Sequence, residues 1–173
     1  HTGAMVGSDD VFDAAVSRAG VVRVHNYVDF FAVAETLHTG VRTRGPRLAI
    51  ITNGGGPGVM AADFLADKRL PLAKLSAETR QKLDGALPRA WSGGNPVDVL
   101  GDAGADRYAK ALEFVLEDDG CDGVLAILVP QAMTEPEPVA EAVADIVGQF
   151  ARRAAAPQRP RNITRPEQQA SQC

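Results

Sequence analysis

A chain of 173 residues with 45% hydrophobic and 23% charged residues has the composition of a globular body with a core of its own. No apolar run approaches the roughly 18 residues of a membrane-spanning helix, and two Cys with three His exclude a zinc finger or a disulfide scaffold. A net charge of −4 argues against nucleic-acid binding as the main task, and the scarcity of cysteine fits a reducing cytoplasm. Ser8 or Asp9 can cap a helix over residues 10–19, which Gly20 closes. Residues 21–24 are a short β-prone run. Asn26 then caps a helix over 27–38, with Tyr27, Phe30, Val33, Ala34 and Leu37 at helical spacing and Gly40 at its end.

Residues 48–52 (Leu-Ala-Ile-Ile-Thr) read as a buried strand. A glycine loop follows at 53–58, and a helix is expected over 59–69. Residues 71–75 form a weak second strand. Ser76 caps a helix that runs to about 87, where Pro88 stops it. Residues 88–104 are a long Gly- and Pro-rich loop containing Trp91 and Asn95-Pro96-Val97-Asp98. Tyr108, Ala111, Leu112 and Val115 mark one face of a helix over 105–118. Residues 123–129 are the strongest strand, and a helix over 139–152 follows the loop at 130–138. Residues 151–173 hold five Arg and one acid, which leaves −8 on the preceding 150. With three Pro and one large apolar side chain, that tail is expected to be disordered.

Apolar strands alternating with amphipathic helices indicate a parallel α/β sheet covered on both faces. Ligands then gather at the carboxyl ends of the strands. The glycine loop sits at such an end. Glycines let backbone approach an anion closely, and a helix start adds free N–H groups and the positive end of a dipole. The alternative is a tight turn for close helix–sheet packing. No Gly-Lys-Ser/Thr follows, so this is not a Walker loop. Nor does an acid end the next strand, as a dinucleotide fold would place it. The segment at 1–8 offers an accessible imidazole in a small-residue loop, His1, suited to proton transfer or phosphoryl capture. A tag remnant would read the same way. Asp98 and Asp102 are candidate cation ligands or solvated surface. Glu135 and Glu137 read as loop surface, His25 and His38 as helix-terminal surface, and Cys121 as buried and inert.

Taken in order, several of these segments carry a family pattern. They are His1 to Ala4, Gly7-Ser8-Asp9, Phe12-Asp13-Ala14-Ala15, and Arg18 to Val24. Thr52 to Asp63, Leu75-Ser76-x-Glu78-Thr79, Asn95-Pro96-Val97-Asp98 and Gly101-Asp102-Ala103 follow. Over about residues 1–147 the chain resembles ADP-forming acyl-CoA synthetases, the acetate-CoA ligase relatives of succinyl-CoA ligase. The resemblance implies a flavodoxin-like three-layer αβα fold with a parallel sheet, expected here to stop after its third strand. It implies residues 1–24 as the end of a phosphohistidine-bearing domain, 25–150 as an incomplete flavodoxin-like ligase domain, and 151–173 as a tail unlike the family. It further implies the reaction of an acid, CoA and ATP to acyl-CoA, ADP and phosphate, through an acyl phosphate and a phosphohistidine. His1 would be the phosphoryl carrier. Two helices of such enzymes aim their N-termini at the phosphohistidine, and the helix after the glycine loop would be one of them. Asn53, Gly54, Gly55, Gly56 and Gly58 would face the phosphate, with Asn95 and Asp98 as a supporting loop.

CoA, ATP/ADP and Mg would bind on a CoA-binding domain and an ATP-grasp module expected elsewhere in the full-length enzyme or on partner subunits. The other partners expected are phosphate, a small carboxylic acid substrate, and a second copy through strand 123–129, with no nucleic acid and no membrane. Two further readings remain: the ligase-like regulatory region of a GNAT-type lysine acetyltransferase, and a non-catalytic flavodoxin-like binding module.

Overall fold

The computed structural model describes residues 8–40 and 43–155. The chain divides into two compact units between Thr43 and Arg44. The sequence reading put this boundary at 24/25. Within the first unit Arg23 reaches back to the preceding helix, pairing with Asp9 at 2.5 Å and with Asp13.

In the first unit, α1 spans Asp9–Arg18 and α2 spans Tyr27–Thr39. Acids in the first turn of α1 and Arg18 in its last turn match the helix dipole. Gly20 and Gly40 take positive φ, +69° and +68°, and terminate the two helices in the left-handed region that glycine tolerates. Asn26 caps α2, its side chain accepting from the Asp29 N–H at 2.8 Å and donating to the Asp29 carboxylate at 2.7 Å. The β-prone run at 21–24 is not a strand. Among the described residues of its unit there is no strand for it to pair with.

The second unit carries the sheet. Its elements are β1 (Leu48–Thr52), α3 (Gly55–Asp67), α4 (Ala77–Ala86), β2 (Val97–Asp98), α5 (Ala105–Leu116), β3 (Gly123–Ile127) and α6 (Pro136–Ala155). All strand pairs are parallel and the order is β2-β1-β3. Ala49 and Ile51 join the main core with Tyr108, Ala111, Leu112 and Val115 of α5. Ile50 and Thr52 point to the opposite face, where Thr52 meets Gly58 of α3. Helices thus cover both faces of β1, the arrangement of a flavodoxin-like α/β fold. Leu83 and Leu87 from the α4 region and Val139 at the start of α6 complete the core.

Three expectations need correction. First, α3 begins at Gly55, not at 59, so most of the glycine loop is the helix's own first turn. Second, the strand expected at 71–75 reduces to one bridge, Leu72 to Leu48. Beside it, the Ala73 N–H donates to the Leu48 carbonyl at 2.8 Å. Third, the long loop at 88–104 contains β2, which continues the same edge of β1 at Ile51 and Thr52. Asn95 joins the two pieces. Its Oδ1 accepts from the Ile50 N–H at 2.9 Å, and its Nδ2 donates to the Leu48 and Ala73 carbonyls at 3.0 Å each.

At the amino ends of the strands, Arg47 and Asp122 form a two-pronged pair of 2.8 and 2.7 Å, and the Arg47 backbone N–H adds a third bond to the carboxylate. At its far end α6 runs through Ala155, so residues 151–155 are helix and not tail. The rest of the expected tail, 156–173, lies outside the described residues, as does His1.

Candidate functional site

The carboxyl ends of the three strands bring together Asn53-Gly54, Asp98 and residues 128–131, and the first turn of α3 opens there. Each sequence-predicted residue has a definite place. Asn53 is 1% exposed and holds backbone, not ligand. Its Oδ1 accepts from the Val129 N–H at 2.7 Å, and its Nδ2 donates to the Val129 carbonyl at 2.9 Å. An amide side chain so placed imitates one more step of the β1–β3 ladder.

Gly54 is the residue before the helix. Its N–H donates to the Thr52 hydroxyl at 3.0 Å, and a Cβ here would sit 2.8 Å from Val129 Cγ2. Gly58 is buried, its N–H donates to the Gly54 carbonyl, and a Cβ would lie 2.8 Å from Thr52 Cγ2. Both are packing glycines with their donors in use. That leaves Gly55 and Gly56. Both are exposed, and as first-turn residues they have no intrahelical acceptor. No side chain caps α3, and no acid lies in its first turn. Pro57 follows and has no N–H to leave unpaired. Of the five residues expected to face a phosphate, two present free donors.

Asp98 lies at the end of β2, level with Thr52. One carboxylate oxygen accepts from the Leu100 N–H at 2.9 Å. The other lies 3.2 Å from where a Gly55 Cβ would stand, against the first turn of α3. Asn95, expected beside it, belongs instead to the sheet edge two residues back. The suggested Asp98–Asp102 cation pair does not form: Asp102 binds Arg107 at 2.6 Å, which holds its carboxyl below the usual range.

The sequence reading missed the residues that hold this edge together. Gln131 Nε2 donates to the Asn53 carbonyl at 3.2 Å. The Thr134 hydroxyl, 2% exposed, reaches the Gly101 carbonyl at 2.9 Å. Tyr108 is buried and donates to the Ile127 carbonyl at 2.8 Å; burial pushes its hydroxyl up to about 12. The signal for Gln131 and Thr134 is their place in the loop after β3, on the side of the sheet where sites and their supports gather. Cys121 is buried as expected, with burial pushing its thiol up.

Residues 48–163 match the ligase-CoA domain family, and residues 1–37 match the succinyl-CoA ligase like flavodoxin domain. The chain belongs to the ligase-CoA domain family. The match continues to residue 163, past the 147 where the resemblance was expected to end. An ADP-forming acetate-CoA ligase of Archaeoglobus fulgidus is 42% identical over 143 residues, 83% of this chain and 21% of the relative. A 4-hydroxybutyrate-CoA ligase, also ADP-forming, of Nitrosopumilus maritimus is 29% identical over 84% of this chain and 21% of its own length. Among solved structures, an acetyl-coenzyme A synthetase of Candidatus Korarchaeum cryptofilum in complex with phosphate and ADP superposes with a TM-score of 0.77. It is 28% identical over 87% of this chain and 32% of its own. The ligase-CoA chain thus spans about a fifth of the length of these curated relatives and a third of the solved one.

Proposed function

We propose that this chain is part of an ADP-forming acid-CoA ligase, which joins a small carboxylic acid to CoA with conversion of ATP to ADP and phosphate. In this reading His1 takes the phosphoryl group from ATP, and the acid's carboxylate then takes it from the imidazole as an acyl phosphate. The CoA thiol finally displaces phosphate from the acyl carbon. CoA, ATP/ADP and Mg belong to domains or subunits beyond this chain, and a cytoplasmic setting suits both that chemistry and the scarcity of cysteine.

The observation that carries the reading is the start of α3. Gly55 and Gly56 offer two free N–H groups at the positive end of a 13-residue helix, with no side chain capping them. A phosphoryl group on an imidazole fits such a seat. Asn53, Gly54 and Gly58 contribute by fixing the helix against β1 and β3, not by direct contact.

The test uses the full-length enzyme. ATP carrying labelled γ-phosphate should deposit acid-labile label that is lost in His1→Ala. Label that survives this substitution places the carrier elsewhere.

A further inference from the structure

We draw no further inference here: the strongest candidate, the exposed apolar surface patch that Tyr27, Val28, Phe30, Phe31 and Leu37 form on α2, is an unpartnered helix face, and nothing in the structure shows what covers it.

Discussion

Gly58→Ala is the sharpest probe of how α3 is seated. The new Cβ would stand 2.8 Å from Thr52 Cγ2 and 3.5 Å from Pro96 Cβ, inside normal contact for the first of these. Thr52 cannot rotate away without loss, because its hydroxyl accepts from the Gly54 N–H and lies 3.0 Å from the Gly54 carbonyl. Overpacking of this kind costs about 1–3 kcal/mol. Ala in a helix recovers up to about 1 kcal/mol relative to Gly. The net expectation is a loss of about 1–2 kcal/mol. Gly56→Ala is the matched control: nothing lies within 4 Å of its Cβ, so it should be neutral or stabilise by about 0.5 kcal/mol. Urea denaturation of both variants gives the two values, read as shifts in midpoint at constant slope. Thr52→Ser then isolates the cause, since it removes Cγ2 and keeps the hydroxyl. If Gly58→Ala costs as much in the Thr52→Ser background as alone, the methyl contact is not the reason and the packing argument fails.

Asn53→Asp keeps the shape but loses the donor to the Val129 carbonyl and places a charge in a nearly inaccessible position; a loss of about 2–4 kcal/mol in urea unfolding is expected, and a loss below about 1 would refute the ladder-mimic role. Asp122 is held down to about 2 by Arg47, against an ordinary value of 3.8. Its folded-state value is depressed, so its contribution is present above pH about 4 and disappears as pH falls toward 2. Acid unfolding should therefore show a steeper limb in that window in the parent chain than in Asp122→Asn. β3 has a strand partner on one edge only among the described residues, and Leu125 on it is 39% exposed. Uncharged edges of this kind template pairing with another chain. Leu125→Lys should lower the association seen by light scattering; a parent chain that stays monomeric at high concentration contradicts the expectation.

The parts of this fold legible in the sequence are those whose signal is local. Residues 48–52 have a continuous apolar run, and α5 shows Tyr108, Ala111, Leu112 and Val115 on one face, all buried. The start of α3 was misplaced because Gly-Gly-Pro is the poorest helix-forming triplet in a helix interior. In a first turn the objection lapses, since those residues donate no intrahelical hydrogen bond. β2, at two residues, is too short to show any period. Asn53 and Asn95 looked like site residues because they stand in Gly- and Pro-rich loops at strand ends. Their actual partners lie 76 and 45 residues away in sequence. Nothing in their own neighbourhoods indicates that they bind backbone, whereas Asp98 does reach the helix start.

The splice at Asn95 has a consequence for how the sheet finds its alignment. A strand of two residues carries too few ladder bonds to choose its own register, and a slip by one residue would turn Val97, fully buried, outward. Asn95 removes the freedom to slip. Its amide can accept from Ile50 while donating to both Leu48 and Ala73 at a single offset of the chain, and at that offset Val97 falls opposite Ile51. The excursion from residue 74 to 94, with α4 and Trp91 on it, leaves and returns to the same edge of β1. One side chain, acting as a vernier, aligns both ends of that detour to the strand between them.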